Sequence, residues 1–214
     1  MTPIAIRPAA AGDLPQIHAI INHYVLNTRL TFLQNPASLF LFDAKFREIT
    51  EVRGLPYLVA FIRRENEGGH LPAGKEAESQ DIAQDVVVGY AYLSPFRGHM
   101  LSYGPTVELS LFVHPSHQSR GIGSRLLDVV LERTNAPGAV HRAREVVVDD
   151  DDGQERTFYA AEGEAGVRIR NILAIMAVDA DGKDEGEALR RWYGKRGFVE
   201  RGRMEKVGFK MGQW

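Results

Sequence analysis

The chain has no cysteine among its 214 residues. That absence excludes a disulfide frame, a thiolate metal site and a covalent cysteine intermediate, so any group transfer must be direct or use another nucleophile. Long apolar runs are missing as well. No stretch approaches the roughly 18 apolar residues of a membrane-spanning helix, and the amino terminus lacks a basic segment followed by an apolar one. The expectation is a soluble, cytoplasmic protein with no membrane partner. Nor does one sign of charge dominate: a net charge of −2 and a pI near 6.4 argue against a nucleic-acid partner held by a basic face. No Gly-Lys-Ser or Gly-Lys-Thr is present, which excludes a P-loop.

What is present suits one closed core, since 44% of the residues are hydrophobic. The reading is a single domain over 1–214 with loop insertions at about 63–85 and 136–170. A strand is expected near Ile4, then a helix opened by Asp13 with Gln16 at capping-box spacing and Leu14, Ile17, Ile21, Tyr24 and Val25 on one face. Phe40 to Val52 reads as a second helix, and Tyr57 to Ile62 and Val86 to Ser94 as a strand hairpin. The insertion at 63–85 is polar and reads as a mobile loop. In the second insertion, Asp149 to Asp152 run contiguously. A calcium loop needs acidic residues at alternate positions, so this run reads as solvated surface.

The most informative stretch runs from Val107 to Asn135. Val107, Leu109, Leu111 and Val113 alternate with Glu108, Ser110 and Phe112, which is the period of a strand and sets Glu108 apart from the aliphatic face. Gly121 and Gly123 follow, then Ile122, Leu126, Leu127, Val130 and Leu131 at helical spacing. A helix start leaves its first amides unpaired and carries about half a positive charge, so a glycine turn before it is a phosphate site. The dinucleotide fingerprint fits poorly, because Leu126 stands where its third glycine would be. What remains is Gln118-x-x-Gly121-x-Gly123, directly after a strand. His114 and His117 read as loop residues, and no metal is expected because no third ligand lies nearby.

At these residues the sequence resembles the GNAT superfamily of acetyl-CoA-dependent N-acetyltransferases, whose Gln/Arg-x-x-Gly-x-Gly/Ala turn cradles the coenzyme pyrophosphate. Tyr193-Gly194-Lys195-Arg196-Gly197-Phe198 is similar to the family's Tyr-x-x-x-Gly-Phe segment. Within the superfamily the chain is most similar to the phosphinothricin and methionine sulfoximine acetyltransferase group. Ile6 to Ala9, Ile21 to Tyr24, Thr31-Phe32, Ser94 to Arg97, Tyr103 with Thr106 to Glu108, and the closing Val207 to Trp214 carry that similarity.

The resemblance implies an α/β (α+β) fold: a mixed, mostly antiparallel sheet flanked by helices, with a splayed strand pair for the coenzyme. Ile172 to Val178 is the expected second strand of the splay, and Phe198 is expected to return to the sheet. The coenzyme would lie on the edge of Ser110, Leu111, Phe112 and Val113 and on the turn of Gln118, Ser119, Arg120, Gly121, Ile122, Gly123 and Ser124. Glu108 is implied as general base and Tyr193 as proton donor to the departing sulfur. Phe32, Arg97 and Tyr103 are implied on the acceptor side, Arg97 as the cation for a substrate carboxylate. Gly186 stands where the group has an asparagine near the pantetheine. The implied activity is transfer of an acetyl group to the amine of a small amino acid or analogue by a homodimer. The alternative is a non-catalytic acyl-CoA-binding sensor or interaction domain.

Overall fold

The computed structural model describes residues 3–63, 85–98, 100–160, 166–179 and 181–214. Most of the first insertion therefore lies outside the described residues. Strand β1 is Ile4–Pro8, followed by helix α1 at Leu14–Asn27 and α2 at Leu39–Arg47, which runs on as a π-helical turn at Glu48–Val52. Strands β2 at Tyr57–Ile62 and β3 at Val86–Pro95 pair antiparallel, as their β-branched and aromatic content predicts. Strand β4 is Thr106–Val113 and helix α3 is Ile122–Asn135.

A five-stranded sheet is ordered β1-β2-β3-β4-β9, with β9 at Asn171–Leu173. All pairs in it are antiparallel except β4 with β9, which is parallel. The central strands have both faces covered, which is why Leu58, Val59, Val88, Ala91 and Leu93 are all fully buried. Helix α3 lies on one face: a Cβ on Gly89 would stand 3.1 Å from Ile122 and 3.3 Å from Leu126. Helix α1 lies on the other, where Tyr24 meets Phe112, whose strand partner is Tyr90.

Four sequence expectations change. Gln16 does not cap α1; its amide oxygen accepts from the Val87 N–H and its nitrogen donates to the Asp85 carbonyl, tying α1 to the start of β3. The strand expected over 172–178 pairs only at Asn171–Leu173, opposite Thr106 to Glu108. The second insertion is not a plain loop. It holds β5 at Val140–His141 paired with β8 at Val167–Arg168, and a hairpin of β6 at Arg144–Val148 with β7 at Glu155–Tyr159. The aspartate run forms that hairpin's turn, where Asp149 accepts from the Asp151 N–H.

Finally, Phe198 does not return to a strand. Helix α4, at Glu187–Gly194, is followed by a turn with Gly197 at φ +85°, and Phe198 folds back so that its ring meets Tyr193 at 5.1 Å. This is a hydrophobic contact closing a helix end.

Candidate active site

Alternation along β4 decides what each side chain can do. Val107 and Leu109 are buried, and Leu111 points toward Gly123 of α3. Glu108, Ser110 and Phe112 therefore face the α1 and α2 side. On that face Tyr57, Tyr92 and Tyr90 stack in a ladder, Tyr57 lying 4.7 Å from Tyr92, and Tyr90 stacks on Phe112 at 5.5 Å. Glu108 is half-buried at the end of this aromatic wall. Burial pushes its carboxyl above the usual glutamate range, partly offset by the ammonium of Lys45. Lys45 itself donates to the Tyr92 hydroxyl at 3.0 Å.

The turn after β4 is built for close approach. Ser119 takes φ +59° and Gly121 φ +75°, and no side chain caps α3. The first intrahelical bond there runs from the Arg125 N–H to the Gly121 carbonyl, so the amides of Ile122 to Ser124 are offered outward. Gln118 has its side chain engaged: it donates to the Tyr24 hydroxyl at 2.8 Å, which in turn donates to the Val113 carbonyl at 2.6 Å. That relay ties the turn to α1 and to the end of β4. Arg120 reaches toward His117, and the His114 ring nitrogen accepts from the Ser116 N–H.

The pairing of β9 with β4 stops at Leu173 and Glu108, so Leu109 to Val113 have β3 on one side and no described strand on the other. Such a gap leaves backbone donors and acceptors for an extended ligand. Helix α4 flanks the gap. A Cβ on Gly123 would stand 3.7 Å from Trp192 and 3.4 Å from Leu111, so α4, α3 and β4 converge there. Arg196 lies over the Trp192 ring at 4.1 Å and donates to the Ser124 hydroxyl. Tyr193 is half-buried between Trp192 and Phe198, and burial pushes its phenol up to about 12.

Gly186 has a steric reason for its identity. It takes φ +82°, and a Cβ there would lie 2.7 Å from the Asp179 carbonyl oxygen.

The acceptor-side residues fall into two groups. Phe96, Arg97 and Tyr103 share the connection between β3 and β4: Tyr103 meets Phe96 edge-on at 5.1 Å, and the Arg97 guanidinium lies 5.9 Å from the Phe96 ring. Phe32 belongs with the carboxyl-terminal segment, its ring packed so tightly on Gly208 that a Cβ there would overlap it. The same segment sends the buried Lys210 to the Thr31 carbonyl at 2.9 Å. Arg29 pairs with Asp179 at 2.8 Å and donates to Gln213.

Lys45, Tyr92 and Arg196 were not singled out by sequence reasoning. Only Arg196, inside the Tyr193 to Phe198 segment, stood close to a readable signal.

Comparison with known proteins adds independent findings. The Acetyltransferase (GNAT) family matches residues 37–163. The chain is 31% identical over 140 residues to a phosphinothricin N-acetyltransferase of Streptomyces coelicolor, covering 65% of this chain and 70% of that one. It is 33% identical over 141 residues to an L-methionine sulfoximine/L-methionine sulfone acetyltransferase of Pseudomonas paraeruginosa, covering 63% of this chain and 65% of the other. Among solved structures it is similar to a GNAT superfamily phosphinothricin acetyltransferase from Sinorhizobium meliloti in complex with AcCoA. The identity is 27% and the TM-score 0.63, over 100% of this chain and 84% of that one.

Proposed function

The chain belongs to the acetyltransferase (GNAT) family, and on that premise we propose that it moves an acetyl group from acetyl-CoA directly to the amine of a small amino acid or amino-acid analogue. The observation that carries this reading is the gap beyond Glu108 and Leu173, opening onto the uncapped first turn of α3. The residues present suit the co-substrate. Gly121 and Gly123 leave room for a pyrophosphate at the amides of Ile122 to Ser124, and the free edge of Ser110 to Val113 suits the amides of an extended pantetheine.

Acetyl-CoA supplies an activated thioester. Glu108, desolvated at the fork, accepts the proton of the incoming amine. Amides of Ser110 to Phe112 hold the carbonyl oxygen, a contribution of about 3 kcal/mol per donor. Tyr193, kept protonated by burial, hands its proton to the departing thiolate. Arg97 takes the acceptor's carboxylate. The names of the relatives support an acceptor resembling phosphinothricin or methionine sulfoximine. The rival reading, a non-catalytic acyl-CoA sensor, finds no support among them.

The reading extends to one catalytic unit across the described residues, acting in the cytoplasm as a homodimer without nucleic-acid or membrane partners. Exposed Val207, Phe209, Met211 and Trp214 offer apolar surface for a second copy, and light scattering decides the oligomeric state. The deciding assay for the activity follows thiol release from acetyl-CoA with a panel of amino acids, methionine sulfone, methionine sulfoximine and phosphinothricin. Turnover is expected with at least one. Tight acetyl-CoA binding without turnover of any amine would overturn the enzyme reading.

A further inference from the structure

The segment from β5 to β8 separates α3 from β9, and its root is bonded to the connection that carries Phe96, Arg97 and Tyr103. His141 of β5 is 2% exposed, and its Nε2 donates to the Gly104 carbonyl at 2.7 Å. A carbonyl only accepts, so the neutral ring carries its hydrogen on Nε2, and burial holds it below the usual imidazole range. Arg53, 8% exposed, holds the other end of the connection. Its Nη2 donates to the Gly98 carbonyl at 2.9 Å and to the Arg144 carbonyl at 3.4 Å. Its Nε donates to Glu48 at 2.9 Å, and the same carboxylate accepts from Arg144 at 2.7 Å.

Two further contacts complete the joint. The Arg142 N–H donates to the Arg53 carbonyl at 2.8 Å, and the amides of Arg170 and Asn171 both donate to the Pro105 carbonyl. Packing is close: a Cβ on Gly104 would stand 3.0 Å from Ala143. The crevice between root and connection has a volume near 10 Å³, room for at most a single water. It is a joint rather than a ligand pocket.

The connection makes its own local bonds, from the Met100 N–H to the Arg97 carbonyl, Tyr103 to Met100 and Gly104 to Leu101. Those fix its shape. Its ends are tied to the sheet by the bond from the Phe96 N–H to the Thr106 carbonyl, and Gly98 and Gly104 are held in addition by donors that come from outside it. We propose that the root of this insertion, Val140 to Arg144, together with Arg53 is a specificity element: through the positioning residues His141 and Arg53 it sets where Phe96, Arg97 and Tyr103 stand, and so which amines the enzyme accepts. This rests on the acetyltransferase reading above.

The test compares wild type with His141→Leu, Arg53→Met and His141→Gln, whose amide keeps a donor near the Nε2 position. The first two are expected to raise KM for the preferred amine about tenfold and to reorder the amine panel, with KM for acetyl-CoA within about twofold. Glutamine is expected to restore the amine KM. A merely structural role would lower the active fraction, and with it kcat, leaving both KM values unchanged. Hydrogen exchange gives a readout without turnover: amide protection should drop in the 97–105 segment in the leucine and methionine variants. Should His141→Leu fail to fold, Arg144→Ala, whose side chain is half-buried, takes its place. Unchanged amine KM with unchanged protection at 97–105 overturns the proposal. If wild type acetylates no amine, the acetyltransferase reading falls and the exchange measurement alone decides the joint.

Discussion

Leu173 is the last residue of β9 to pair with β4, and its partner there is Glu108. The sheet therefore forks at the carboxylate assigned as base. The free edge of β4 begins at the next residue, Leu109, so on the proposed roles proton removal and acetyl delivery would meet at one point.

Glu108→Gln should lower kcat by about a hundredfold to a thousandfold while KM for acetyl-CoA stays within about twofold. The working form is the carboxylate, and burial raises its pKa. Wild-type activity should thus fall on the acid side as pH drops through a value above the ordinary glutamate range. That limb should be missing from the glutamine variant when kcat/KM is measured against pH.

Gly123→Val should weaken acetyl-CoA by about tenfold to a hundredfold, read by calorimetric titration, because the added methyls crowd Leu111, Val113 and Trp192 and push the first turn of α3 away from β4. Gly123→Ala should be milder, since its Cβ lies at ordinary contact distance, 3.4 Å from Leu111. Amine KM should not change in either.

Tyr193→Phe should reduce kcat by about a hundredfold without altering either KM. The phenol sits near pKa 12, so wild type should show no alkaline loss below about pH 10 that the phenylalanine variant lacks. Such a loss, absent from the variant, would mean that Tyr193 ionises well below that value while still serving as the acid, whereas an unchanged kcat in the phenylalanine variant would remove it as the acid.

Gly186→Asn, which introduces the asparagine usual in the related group, should destabilise the fold by about 2 kcal/mol in urea titration. Asparagine tolerates φ +82°, yet its Cβ still meets the Asp179 carbonyl. An equally stable variant would contradict this placement of Gly186 against Asp179.

Asp13→Asn should cost about 1 kcal/mol near neutral pH, since it removes the 2.6 Å carboxylate partner of the partly exposed Arg7 and leaves it with Asp85 at 3.3 Å. Burial pushes the Asp13 carboxyl up, but the Arg7 guanidinium and the Ala10 amide outweigh it and hold it below the ordinary aspartate range. A lowered pKa gives stability that is present above the unfolded value and lost as pH falls through the folded one. The gap between variant and wild type should therefore close below about pH 4.

The parts of the site legible in the sequence are those set by local periodicity. Alternation put Glu108 opposite Val107 and Leu109, glycines marked the turn, and 3.6-residue spacing gave α3. Strands β6 and β7 escaped because neither has a buried face: Val146, Val147, Val148, Phe158 and Tyr159 are all exposed, so no alternation betrays them. Arg53 and His141 are isolated polar residues whose partners lie 45 and 37 positions away, beyond any local pattern. Phe198 was misread because an aromatic after Gly197 suits a strand start as well as a helix closure. Only the position of the Tyr193 ring distinguishes them.

The fork also makes acetyl-CoA part of the architecture. A bound co-substrate would occupy the place of a missing rung beside Leu109 to Val113, so filling it adds to the free energy of the folded state. At a hundredfold excess over Kd that gain is about 2.7 kcal/mol, a large share of the reserve of an ordinary domain. On the proposed site, the supply of one substrate should thus also bear on how long the enzyme survives, the unfilled molecules being cut first by a protease when acetyl-CoA is withheld.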